Sequence, residues 1–267
     1  MTGQLVNRTA RRVNAEILVV IGWGRAILLQ LAHPLVAAGV SEHSDFREGS
    51  LDYLRRSHHT IAAMLSLTFG SPDVVTAQAD AINQIHQRVH GRLRVPTSRF
   101  PAWTPYSATD PELLRWVHAT LVESQLLTYE LLVDKLPDSD RDRYCAEAAT
   151  IGPLLGIPEG LLPETMSSLT GYLEASLASD VIEVTQSARA LARALLHPTG
   201  LLVGPLFGIG RLATLGLLPP ALRQAYGFPW GLSQERRFSR LVGVLRTVRK
   251  VLPTRLSQWP VARPGQV

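Results

Sequence analysis

Cysteine is almost absent: Cys145 is the one thiol in 267 residues, which excludes a disulfide framework and any cysteine-rich zinc or iron–sulfur site. The spaced ligand patterns of common metalloenzymes are missing as well. No Glu-x-x-His pair offers the ligands of a di-iron carboxylate bundle, and no His-Glu-x-x-His offers those of a zinc hydrolase. Without Gly-x-Ser-x-Gly, nothing marks a nucleophilic serine. Gly22-Trp23-Gly24 follows an apolar run as a dinucleotide-binding turn would, but Ile27 stands where the third glycine belongs and no βαβ units follow.

Long hydrophobic runs are lacking too. The region from Ile17 to Val40 is broken by Arg25, Gln30, His33 and Pro34, short of the roughly 20 apolar residues a membrane span needs. Arg8, Arg11 and Arg12 precede this region, yet Glu16 abuts it and Arg25 interrupts it, so a secretory signal is not expected. The expectation is a soluble, cytoplasmic protein, with membrane association as the alternative. Acidic charge is scarce at the C-terminal end. Residues 233–267 hold eight arginines or lysines against Glu235 alone, a balance of +7 out of the chain's +5, which leaves −2 for the rest. Lysine is nearly missing, with only Lys135 and Lys250.

What is present is helical spacing and apolar material, 46% of the chain, enough for one sizeable core. Strand alternation and Asn-Gly or Asp-Gly hairpin turns are not found. Residues 16–32 are apolar nearly all round, as a buried helix is, and Pro34 interrupts or kinks it. A helix is expected over 50–67, stopped by Phe69-Gly70-Ser71-Pro72, and another over 73–95. Four prolines and three aromatic residues between 96 and 111 indicate a long ordered loop. Helices follow over about 111–136, 140–151, 163–177 and 181–196. Residues 197–229, rich in Gly, Pro and Leu, suggest an irregular core connection, or at 201–210 the lining of an entrance. A basic amphipathic helix spans 233–252, with Phe238, Leu241, Val242, Leu245, Val248 and Leu252 on its apolar side. The expected architecture is all-α: a basic N-terminal tail (1–14), a single helical domain (15–252) and a C-terminal tail (253–267).

LRRSHHT, at 54–60, concentrates polar chemistry in an apolar chain. His58 and His59 are adjacent, so on a helix they point about 100° apart and cannot chelate one ion from one face. Arg56, His59 and Thr60 do share a face, either as a solvated stripe or as a guanidinium, imidazole and hydroxyl acting together. His86 and His90 are four residues apart on a mainly apolar segment; each is a satisfied core histidine or a single axial ligand, since a haem iron needs one protein imidazole on its proximal side.

Taken together, QLAHPLVAAGVSEHSDF (30–46), RSHHT (56–60), FG (69–70), HQRVHG (86–91), YSATDPELLRWVHATL (106–121) and LGIPEGLLP (155–163) resemble the MpaB-type oxygenase family, which includes the latex-clearing proteins, or rubber oxygenases. The likeness runs in consistent order over roughly residues 15 to 200. It implies a globin-related helical core holding haem b. The family's Arg-x-x-x-Thr pattern falls on Arg56 and Thr60, beside the haem. Its proximal histidine falls on His86, followed by Val89, with His90 as the competitor. Where latex-clearing members carry a distal lysine, this chain has His59, a second candidate iron ligand or a hydrogen-bond donor to bound oxygen. The family's acidic residue has Glu42 or Asp45 as its counterpart.

The resemblance therefore implies a haem-dependent oxygenase that activates dioxygen and oxidises or cleaves an apolar isoprenoid or lipid-like substrate, drawing electrons from a reductant the residues do not identify. The rival expectation is a haem protein that senses or stores a ligand without turnover. The basic helix at 233–252 is a plain surface helix or a peripheral contact with an anionic membrane. Nucleic acid is not an expected partner, because that segment lacks interleaved stacking aromatics.

Overall fold

The computed structural model describes residues 8–43, 50–196 and 204–263; the side chains of 50–58 and 204–206, and Asp45, lie outside the described residues. Helices dominate. In chain order they are α1 (Arg8–Asn14), α2 (Ile21–Leu31), α3 (Pro34–His43), α4 (Ser50–Phe69), α5 (Pro72–His86), α6 (Pro111–Leu132), α7 (Asp138–Ala149), α8 (Met166–Ala178), α9 (Gln186–Leu196), α10 (Gly204–Leu217), α11 (Pro220–Ala225), α12 (Leu232–Val251) and α13 (Thr254–Ser257). A two-stranded antiparallel sheet, β1 (His90–Arg92) with β2 (Pro105–Ser107), is inserted before α6. The all-α expectation is met; kinship with globins rests on the resemblance alone.

The middle of the molecule is α2 lying between α6 and α10. Two glycines permit this. A β-carbon at Gly22 would stand 2.6 Å from the Ser124 carbonyl oxygen on α6, and one at Gly24 would collide with Thr214 on α10. The Gly-Trp-Gly sequence is thus a helix-packing device, one glycine for each neighbour. Arg25, the next polar residue, is 6% exposed. Its guanidinium pairs with Glu123, donates to Ser124 Oγ at 2.6 Å and through Nε to the Leu217 carbonyl at 2.9 Å, so one buried cation ties all three helices. Leu28, Leu29, Trp116, Leu126, Tyr144, Leu169 and Leu218 fill the core around them.

Pro34 ends the first apolar stretch as expected. It opens α3, which turns 105° from the preceding helical segment. Among the described residues no single helix is long and apolar enough to cross a membrane. At this corner His33 is buried, its Nδ1 accepting from the Leu35 N–H at 3.3 Å and its ring 5.6 Å from that of Phe100. Burial lowers its pKa to about 4, against a raising contribution from Asp110. A histidine neutral in the fold and protonated in the unfolded chain contributes stability that is complete above pH 6.5 and lost as pH falls toward 4. Unfolding free energies from urea melts recorded between pH 7 and 4 should fall accordingly, by up to about 3 kcal/mol over the full window, and His33→Asn should flatten that slope.

Several boundaries differ from the sequence expectation. Residues 8–14, expected in a tail, form α1, which buries Thr9, Ala10 and Val13. The C-terminal segment is also built in: Glu16 and Gln258 form an isolated β-bridge, and Ser257 is buried. The helix expected over 73–95 stops at His86, and 197–229 contains α10 rather than an irregular connection. Gly216 of α10 receives the ring of Phe238, whose Cε2 would lie 2.5 Å from a β-carbon there. Val248, expected on the packed side of the basic helix, is 41% exposed.

Candidate functional site

The segments 30–43, 86–91, 106–121 and 155–163, far apart in sequence, are linked in the fold through α3, the β1–β2 sheet, α6 and the turn packed on α5. Pro72 at the first turn opens α5, and its Ala79, Ile82, Asn83 and His86 follow the spacing of one helical face. Ala79 is buried, and Asn83 Nδ2 donates to the Leu154 carbonyl at 2.8 Å, which fastens this face to the 3₁₀ turn at Pro153–Leu155. His86, the last residue of α5, continues the stripe. Its backbone carbonyl accepts from the Val89 N–H at 3.0 Å, and the Val89 carbonyl accepts from Ala108 at 2.8 Å, so the chain passes directly from α5 into the β1–β2 sheet.

That sheet carries a second polar group. Gly91 stands opposite Tyr106, and a β-carbon at Gly91 would lie 2.5 Å from Tyr106 Oη and 3.0 Å from Glu42 Oε2. Only glycine leaves room for the bond between them, in which the tyrosine hydroxyl donates to Glu42 at 2.5 Å. Arg94 Nε donates to the other carboxylate oxygen at 2.9 Å. The Tyr106 bond, aided by Arg94, holds the Glu42 carboxyl below its usual range despite partial burial, so Glu42 is a charged acceptor at neutral pH. Its neighbour His43 meets the His90 carbonyl through Nε2 at 3.0 Å. Close approach of Gly39 to Val89 and Tyr106, 3.4 and 3.5 Å from a β-carbon there, seats α3 on the same sheet.

The two histidine candidates are placed differently. His90 lies on β1 and is exposed. His86 is half-buried, and its Nδ1 is buried with no hydrogen-bond partner among the described residues. Burial lowers its pKa from 6.5, so its imidazole is neutral at physiological pH, the form that ligates metals. A desolvated ring nitrogen left unsatisfied is costly in a closed core and fits an axial ligand position. Among the described residues no group of three or more His, Cys, Asp or Glu side chains converges.

Arg56, His59 and Thr60 fall on α4, which packs against α5 across the turn at Gly70 and Ser71. His59 and Thr60 are exposed, and the Arg56 side chain is outside the described residues. Further along α4, Met64 and Thr68 line a narrow cleft with Trp23, Gln125 and Trp259, roomy enough for little more than a water; His59 and His86 do not border it. Trp23 Nε1 is buried at this cleft without a protein partner among the described residues. Sequence reasoning missed Tyr106, Arg94 and His43. Tyr106 was within reach, since it sits in a quoted segment, but its pairing with Gly91 and Glu42 depends on a sheet that has no turn signature.

These features define a helical protein with a Glu42–Tyr106–Arg94 polar group at the β1–β2 sheet and, at the end of α5, a half-buried histidine with an unsatisfied ring nitrogen. The chain belongs to the family described as ER-bound oxygenase mpaB/B'/Rubber oxygenase, catalytic domain, which it matches over residues 10–247. The uncharacterized proteins Rv2237 of Mycobacterium tuberculosis and Mb2261 of Mycobacterium bovis are similar to it, each 29% identical over 235 residues that cover 86% of this chain and 88% of the relative. No solved structure matches. The family is one of oxygenases, so the chain carries an oxidoreductase domain that acts with dioxygen on a substrate.

Proposed function

We propose that the protein is a haem b-dependent oxygenase acting on an apolar isoprenoid or other lipid-like substrate, with His86 as the proximal ligand. The observation that carries this reading is the buried, unpartnered Nδ1 of His86, within the HQRVHG segment that resembles the family's ligand motif. When bound, haem b supplies a redox-active iron that combines with dioxygen. The protein's part is to hold that group by a neutral imidazole and to set the polarity of the opposite side. Arg56, His59 and Thr60 are the residues proposed there: a fixed cation and hydrogen-bond donors favour negative charge gathering on oxygen. His59 takes the place of the family's distal lysine, as ligand or as donor. Glu42, ionised and held by Tyr106 and Arg94, serves as the acidic residue ahead of the arginine.

The test is purification from haem-supplemented cells, followed by absorption spectroscopy and oxygen-uptake measurements with isoprenoid alkenes and a chemical reductant. A Soret band with substrate-dependent uptake is expected. No Soret band overturns the haem reading; a stable band without uptake on any isoprenoid overturns turnover in favour of a sensing or storage protein.

A further inference from the structure

The orientation of α12 is fixed by two contacts. Near its start Phe238 packs into the space left by Gly216 on α10. Near its end Arg249 makes a two-bond pair with Glu16, at 2.5 and 2.7 Å, and Gln258 donates to the same carboxylate at 2.9 Å. Glu16 is only 2% exposed, so this anchor is internal. Eleven residues separate Phe238 from Arg249 in the sequence, which at 100° per residue places them within about 20° of each other on the helix. The opposite side must then face outward.

That outward side carries Arg236, Arg240, Val244 and Val251, with Lys250 at its edge. Val244 is 59% and Val251 74% exposed, and α12 contains no buried residue at all. The one acid of the helix, Glu235, sits on the anchored side, where it accepts from Trp230 Nε1 at 2.7 Å. Beyond the helix the pattern continues with Arg255 and Leu256, the latter 64% exposed. Isolated surface valines are unremarkable. Valines spaced by a helical repeat, bordered by arginines and free of acids on the same side, have the composition of a helix that rests in the headgroup layer of an anionic leaflet.

We infer that the outer face of α12, with the turn after it, docks the protein on a membrane surface rich in anionic lipid. Arginine side chains take the phosphate headgroups while their stems and the valines between them meet the acyl boundary. The absence of an aromatic residue on this face favours lipid over single-stranded nucleic acid, whose binding uses stacking platforms. The docking does not depend on the oxygenase reading, but it gives an apolar substrate a source. Vesicle binding is measured without haem or turnover, so each reading can fail alone.

The full chain should co-sediment with vesicles of phosphatidylcholine mixed with phosphatidylglycerol, and not with phosphatidylcholine alone. Added salt should release it. Arg236→Ser with Arg240→Ser should lower the partition coefficient about twenty-five-fold, fivefold for each arginine near a charged leaflet. Val244→Ser with Val251→Ser should lower it several-fold, and neither pair should change the thermal midpoint, because all four residues are exposed. Equal binding to neutral vesicles, no vesicle binding, or undiminished binding by both variants would each overturn the proposal, as would binding to an acidic protein surface without any to vesicles.

Discussion

His86→Ala is expected to remove the Soret absorption of protein purified from haem-supplemented cells, whereas His90→Ala should leave it intact. The contrast follows from how the two rings are held. His90 belongs to β1, is exposed, and contributes its carbonyl to the contact with His43; replacing its side chain leaves that carbonyl in place. His86 buries a nitrogen that bonds to nothing among the described residues. Truncating it removes no protein hydrogen bond, so the apoprotein should keep its helical circular dichroism and thermal midpoint. Loss of cofactor without loss of fold separates a ligand from a structural histidine. Free imidazole added during haem loading should restore part of the band in His86→Ala, since it can enter the space the side chain leaves. The reverse outcome, loss in His90→Ala and retention in His86→Ala, transfers the axial role to His90.

The second large effect concerns the buried cation between α2, α6 and α10. Arg25→Ala should lower the unfolding free energy by about 4 kcal/mol. The cost comes less from the attraction lost than from what is left behind: Glu123 without its cation, and the Leu217 carbonyl and Ser124 hydroxyl without their donor. Urea unfolding checks this as a lower midpoint at unchanged slope. Because desolvation offsets most of the gain from a buried pair, Arg25→Met combined with Glu123→Leu should recover most of the stability that either single change loses. A double mutant as unstable as the sum of the singles would contradict that account.

Much of the helical framework was legible because burial and helix period coincide. The helix expected over 233–252 is α12, Leu232–Val251, and the one expected over 50–67 is α4, Ser50–Phe69, bounded by the Phe69-Gly70-Ser71-Pro72 stop. Legibility failed where local composition and tertiary use diverge. Gly204–Leu217 resembles a connection because its glycines have poor helix propensity, yet at Gly216 the missing side chain is what admits Phe238. The β1–β2 pair escaped because its strands are three residues long and joined by a loop without a short-turn signature. Trp103 in that loop even holds a positive φ of 70°, which a bulky residue rarely adopts. For the site, spacing alone left His86 and His90 as rivals; the proposal for His86 rests on a difference in burial, since one of its ring nitrogens is buried and unpartnered among the described residues while His90 is exposed. Equally invisible in one dimension was the Glu42–Tyr106–Arg94 group, whose members come from α3, β2 and the segment after β1.

Gly22 and Gly24 have a consequence for how the molecule opens. With no β-carbon at Gly22 or Gly24 to hold α2 away from its two neighbours, and a shared guanidinium locking their register, these three helices have no room to slide and should open only by global unfolding. The α4–α5 hairpin is attached very differently: Ala79 is the buried residue of α5, and Phe69 the fully buried one among the described side chains of α4. Amide hydrogen exchange should therefore be slowest in α2 and α6 and fastest, through local opening, in α4 and α5. The fold divides into a rigid wall and a hinged shutter; of the residues proposed to handle cofactor and oxygen, Arg56, His59, Thr60 and His86 ride on the shutter, while Glu42 stands on α3.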